Sequence, residues 1–262
     1  MTGDLGSKIN QLLKAWPSGT VATSRWLKEQ GISQQLANKY ESTSWLSRIG
    51  QGAFIRDGEK VEWLGGLYAL QNQLQLPIHA GGKTALQQLG FAHFLPLGKS
   101  KVWLFANPGT KLPSWFKFYP WGHKIDYFTP NLFSKMELGL TQKEMSNFLI
   151  RLSSPERAIL EVLYLVPHTQ SFEEANLLME GLTSLRPALV QQLLENCNSI
   201  KVKRLFMLLA EKANYPWLKK LSPERVNFGT GKRSLVKKGV LNKKYQITIP
   251  KDYYPEIESS SL

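Results

Sequence analysis

The chain has 262 residues, 42% hydrophobic and 20% charged, a globular composition that fills one or two domains and argues against disorder. Lys and Arg number 33 against 20 acids, and this net +13 points to a polyanionic partner, nucleic acid first. One cysteine excludes a disulfide scaffold, no run approaches the ~18 apolar residues of a membrane span, and no secretory signal is visible, so a cytoplasmic protein without membrane contact is expected.

In chain order, Ile9, Leu12, Leu13 and Trp16 share one face and predict a helix from about Ser7 to Trp16, stopped by Pro17. A second helix is expected from Ser24 to Gln30, with Gly31 placed to take the left-handed residue after its end. Ser33 is a good N-cap for a third, Gln34 to about Ser42, with Leu36, Ala37 and Tyr40 inward. Trp45–Ile49, Gly50-Gln51-Gly52 and Ala53–Ile55 read as strand, turn, strand. Helix, helix–turn–helix and two-stranded wing in that order is the winged helix–turn–helix plan. The outward residues Gln34, Gln35, Asn38 and Lys39 suit base edges in a major groove, and Arg48 and Gln51 suit the wing's contact with phosphate or the minor groove. The competing reading is a small helical domain with a solvated polar face, since residues 1–64 hold 8 basic and 6 acidic side chains.

The middle section predicts a helix over Trp63–Gln75, an extended Ile78–Ala80, a turn at Gly81-Gly82 and a helix over Lys83–Leu89. Strands are expected at Phe91–Leu95, Lys101–Phe105 and Lys124–Phe128, with prolines 108, 113, 120 and 130 between them. After a short strand at Phe148–Leu152, helices follow. Ser154-Pro155-Glu156 opens the first, a Ser171–Glu174 capping box the second, and Pro187 the third. The fourth spans Ile200–Ala213. Lys219 to Lys251 then carries ten basic residues and one acid, Glu224, interleaved with Tyr245, Ile247 and Ile249 at period two. That pattern predicts two or three basic strands with one buried face, joined by turns at Gly229–Gly231 and Gly239–Asn242. Lys201, Lys203, Arg204, Lys232, Arg233, Lys237 and Lys238 are the expected polyanion-binding surface; a merely solvated face is the alternative. The fold class is therefore α+β: an N-terminal winged helix–turn–helix, then a mixed, largely helical C-terminal domain with basic strands near its end. The expected domains are residues 1–95, with a winged core at about 7–58, and residues 96–262.

Catalytic chemistry finds no support. Gly81-Gly82-Lys83-Thr84 follows a strand and opens a helix as a P-loop does, but the glycine required five residues before the Gly-Lys pair is Pro77. His79, His93, His123 and His168 stand apart, and Asp4, Asp57, Asp126 and Asp252 are scattered. No metal site, cofactor or enzyme is expected.

Several stretches carry a resemblance: Leu76–Leu86 with its Ala-Gly-Gly-Lys-Thr, Ser153-Ser154-Pro155-Glu156-Arg157-Ala158-Ile159-Leu160-Glu161, Leu178–Leu182, Lys201–Phe206 and Gly231-Lys232-Arg233. The chain resembles the AbiEi-type antitoxins of bacterial type IV toxin–antitoxin systems over about residues 8–250. The resemblance implies a winged helix–turn–helix that binds promoter DNA, with inverted repeats as the expected operator, and represses its own operon. It also implies a C-terminal domain that counteracts an AbiEii-type nucleotidyltransferase toxin, with or without direct contact, in phage abortive infection. RNA is a possible further partner of the basic surface. The alternative function is a ligand- or partner-responsive transcriptional regulator with no toxin-linked role.

Overall fold

The computed structural model describes residues 3–91 and 101–253, so the strand expected at Phe91–Leu95 lies almost wholly outside the described residues. The chain forms two compact units: residues 1–79, 99–129 and 142–151 in one, and 80–98, 130–141 and 152–262 in the other.

The first unit begins α1 (Gly3–Ala15), β1 (Ala22–Thr23), α2 (Ser24–Glu29), α3 (Gln34–Ser42), β2 (Leu46–Gly50), β3 (Ala53–Arg56). β1 pairs antiparallel with β3, and β3 with β2, giving the order β1-β3-β2. This is the expected winged helix–turn–helix with one addition, the two-residue β1. Its core is Ile9, Leu12, Trp16, Ala22, Leu27, Ile32, Ala37, Tyr40, Leu46 and Phe54, all buried. The apolar residues of three helices and three strands converge there, and burying each large side chain contributes about 1.5–3 kcal/mol.

α4 (Trp63–Tyr68) continues into a π-helical turn, Ala69–Gln73, rather than one α-helix to Gln75. The wider turn carries two buried glutamines that complete strand edges. Gln73 accepts from Thr23 N and donates to Val21 O, both at 2.8 Å. Gln71 donates to Ile78 O and Arg151 O and accepts from Arg151 N. β4 (Ile78–Ala80), α5 (Gly82–Gln88), β5 (Val102–Ala106), α6 (Ser114–Phe118), β6 (Ile125–Phe128), β7 (Leu140–Glu144) and β8 (Leu149–Ser153) follow. Their five strands run in the order β6-β5-β4-β8-β7, with β5/β6 and β4/β8 parallel. α6 and β7 were not expected: α6 is one turn inside a proline- and tryptophan-rich segment, and β7 has no apolar alternation.

The second unit is built on α7 (Pro155–Leu165), whose residues Ala158–Leu163 are fully buried. Around it stand α8 (Phe172–Glu180), α9 (Pro187–Asn196) and α10 (Ile200–Ala213). Ser171 caps α8 by accepting from Glu174 N at 3.1 Å, as the capping box predicts. β9 (Arg233–Ser234), β10 (Gly239–Asn242) and β11 (Ile247–Pro250) close the unit in the order β10-β11-β9. Ile247 and Ile249 are buried on one face, in line with the alternation. Gly239–Asn242 is a correction: these residues form β10 opposite β11, with Val240 facing Ile249, and not a turn.

Candidate nucleic-acid interface

The helix–turn–helix is set by local chemistry. Thr23 caps α2 by accepting from Trp26 N at 3.2 Å. Gly31 adopts φ +76°, a conformation strained for any side chain, and lets Ile32 N bond Leu27 O at 2.9 Å while Ile32 enters the core. Ser33 then caps α3, accepting from Leu36 N at 3.2 Å, an interaction worth about 1 kcal/mol. Ala37 and Tyr40 are buried, so the helix has one orientation.

Gln34, Gln35, Asn38 and Lys39 are therefore exposed on its outer side. Three expected site residues meet there. Gln34 Nε2 donates to Asn38 Oδ1 at 3.0 Å, and Arg48 Nη2 donates to the same oxygen at 3.1 Å. Arg48 stands on β2 opposite Phe54, with its guanidinium 4.5 Å from the ring centre. It also grips Glu41 at 2.6–3.1 Å. These bonds hold the Glu41 carboxyl below its usual range and raise the guanidinium in return. Glu41 is the residue that the sequence reading missed. Its signal is position: three residues past Asn38, it lies on the same helix edge. Both acceptor lone pairs of Asn38 are occupied, so as arranged it offers only its Nδ2 donors; a two-bond pair with adenine requires release from Gln34 or Arg48. Gln35, Lys39 and Gln51 are exposed and make no side-chain hydrogen bond among the described residues; Gln51 sits at the wing turn.

The second expected surface divides. Lys232, Arg233, Lys237 and Lys238 are exposed, on or beside β9 and the loop to β10. Lys201, Lys203 and Arg204 are turned to other work, which corrects their placement on that surface. Lys201 Nζ donates to Tyr164 O at 2.7 Å and to Val166 O, so it neutralises the carbonyl end of α7; burial lowers its pKa. Lys203 is 4% exposed and near Cys197, and burial lowers it too. Arg204 is 3% exposed and donates to the carbonyls of Phe228, Gly229, Gly231 and Gln246 at 2.6–3.1 Å, with its pKa lowered by burial and by Arg233 nearby. It holds the basic turn by its backbone, leaving the turn's own cations outward. Cys197 is buried, and burial pushes its thiol up to about 11, away from nucleophilic use.

The Gly81-Gly82-Lys83-Thr84 turn already holds an anion, supplied by the chain. Glu161 Oε2 accepts from Gly82 N at 2.9 Å and from Ser153 Oγ at 2.7 Å, and Oε1 accepts from Arg157 Nε at 2.8 Å. Arg157 Nη1 also bonds the carbonyls of Met136 and Leu138. Lys83 pairs with Glu174 at 2.7 Å. A phosphate would have to displace a buried, fully bonded carboxylate. Among the described residues, no three His, Cys, Asp or Glu side chains gather as metal ligands, and no helix is long and apolar enough to cross a membrane.

Two family models match in series. One, described as the N-terminal domain of the AbiEi antitoxin transcriptional regulator, matches residues 6–97. The other, described as transcriptional regulator, AbiEi antitoxin, type IV toxin–antitoxin system, matches residues 99–250. Among solved structures, the RV2827C protein from Mycobacterium tuberculosis shares the fold with a TM-score of 0.57 and 13% identity, over 99% of this chain and 95% of that one. No curated protein matches significantly in sequence. The chain belongs to the AbiEi antitoxin family of transcriptional regulators of type IV toxin–antitoxin systems.

Proposed function

We propose that the chain binds promoter DNA through α3 and the wing, represses its own operon, and counteracts an AbiEii-type nucleotidyltransferase toxin through residues 96–262. The observation that carries the reading is the outer face of α3, where Gln34, Gln35, Asn38 and Lys39 project from a rigid winged core with Arg48 beside them. Amide and ammonium groups on an exposed recognition helix have the chemistry that reads base edges. Lys232, Arg233, Lys237 and Lys238 form the surface that meets a polyanion on the antitoxin side. Neither role needs turnover or a cofactor, and the place of action is the cytoplasm.

Two measurements on the full chain test this. In anisotropy titrations, Asn38→Ala should weaken binding to promoter duplex by about 1–3 kcal/mol and to a scrambled duplex by less. Equal losses on both duplexes would remove Asn38 from base recognition. In cells, Gln at positions 232, 233, 237 and 238 together should abolish rescue from the neighbouring toxin. Full rescue by a folded variant would return that patch to a solvated face.

A further inference from the structure

Phe118 is 82% exposed, the most exposed large apolar side chain among the described residues, and it ends α6. The segment carrying it is packed into the core. Trp115, Phe116 and Trp121 are buried, the Phe116 and Trp121 rings lie 5.0 Å apart, and Trp121 Nε1 donates to Phe116 O at 2.7 Å. Tyr119 is half-buried with its ring 4.6 Å from that of Trp121, so packing accounts for four rings of the knot and leaves Phe118 outward. The knot stands against the wing: a Cβ built on Gly50 would lie 2.7 Å from Trp115 Cβ, so only glycine fits there. Phe118 is one helical turn from Trp115, and Gln51 is the next residue after Gly50. Phe118 therefore lies within roughly 14 Å of the wing turn, about four base steps of duplex. Lys117 beside it and Lys111 before it are exposed and make no ion pair among the described residues.

We propose that α6 is a third DNA contact, beside the wing and outside the helix–turn–helix. Lys117 takes a backbone phosphate, and the Phe118 ring lies against sugar and base edges of the minor groove next to the wing. Duplex DNA is the occupant because the knot that carries Phe118 touches the wing at Gly50 and the exposed Lys111 and Lys117 match a phosphate chain. The inference rests on the reading of α3 and the wing as a DNA-binding unit.

The test uses the full chain and a labelled promoter duplex, titrated across salt concentrations. Both side chains are exposed, so Phe118→Ala and Lys117→Gln should keep the wild-type melting temperature. Phe118→Ala should weaken binding about fivefold with the salt slope unchanged. Lys117→Gln should make the slope shallower by about 0.9. Wild-type affinity and slope in both variants, while Asn38→Ala still weakens promoter binding, would overturn the α6 contact alone. A wild-type protein that binds no duplex would overturn it together with the α3 reading. Variants that bind DNA normally but lose rescue from the toxin would assign the face to a protein and overturn the proposal.

Discussion

Glu41→Gln is expected to tighten DNA binding. In the free protein Arg48 is held by Glu41, and both side chains are 34% exposed. An exposed pair of this kind is worth about 0–1 kcal/mol, and Arg48 must surrender it before it can reach a phosphate. Gln keeps the shape of Glu41 and one acceptor but removes the charge. The variant should bind promoter and scrambled duplex up to about fivefold more tightly at low salt, since ~1.4 kcal/mol is tenfold. Bound wild type makes the same Arg48 contact once the pair is broken, so the salt slope should move by less than the ~0.9 of one added phosphate contact. The measurement is anisotropy across a salt series, with Arg48→Gln and the double variant completing a cycle. In the Arg48→Gln background the gain should vanish. An equal gain there would mean that bulk charge, not release of Arg48, is responsible. Weaker promoter binding by Glu41→Gln would show instead that the pair shapes Asn38 for its base, and would refute the reasoning.

Two predictions concern the residues that carry the family resemblance. Glu161→Ala leaves Arg157 as a buried cation and strips Gly82 N and Ser153 Oγ of their acceptor; it should cost about 3–5 kcal/mol in urea unfolding, and a loss under about 1 kcal/mol would show that the triad is dispensable. Burial raises the Glu156 carboxyl, but three bonds from Arg186 outweigh it and leave the pKa below the ordinary value. A carboxyl lowered on folding contributes stability above its unfolded pKa of ~4.3, lost as pH falls through the folded value. Arg186→Ala, which keeps only the backbone donor, should cost about 2 kcal/mol at neutral pH and move acid unfolding to higher pH; an unmoved acid limb would deny the pair that role.

How much the sequence shows depends on whether a residue's neighbours are local. α3 was legible in full because Gly31, Ser33 and the Ala37–Tyr40 spacing act within one turn of chain. The α8 capping box and the alternation of β11 were legible for the same reason. α10 was legible in extent but not in orientation. Val202 through Ala210 are all buried, so the helix has no polar face on which Lys203 and Arg204 could be placed by periodicity. A cation that looks surplus at one helix start is explained by carbonyls about 35 residues away, at the end of α7. Glu41 was invisible as a partner because Arg48 reaches it only after β2 turns back along α3. α6 and β7 have neither propensity nor pattern; tertiary contacts select them.

The residues that look most like motifs turn out to be those least able to meet a ligand. Ser153, Arg157, Glu161 and Gly82 bond one another inside the second unit, and Glu156 is spent on Arg186. Their spacing records a folding requirement, because each buried charge needs its partner at a fixed place. The outward residues follow a different rule. Of the ten cations from Lys219 to Lys251, Arg225 pairs with Glu195 and Lys244 with Glu211. The other eight are exposed and make no ion pair among the described residues. Stability alone does not explain such a surplus, since like charges on one segment repel. α3 is the opposite case: Glu41 cancels Arg48, leaving amides and Lys39 outward. A face with little net charge and many oriented donors suits discrimination between sequences, whereas a surplus of unpaired cations suits attraction to any polyanion. Promoter binding should therefore respond to single changes on α3. The antitoxin role should respond only when several C-terminal cations are removed together.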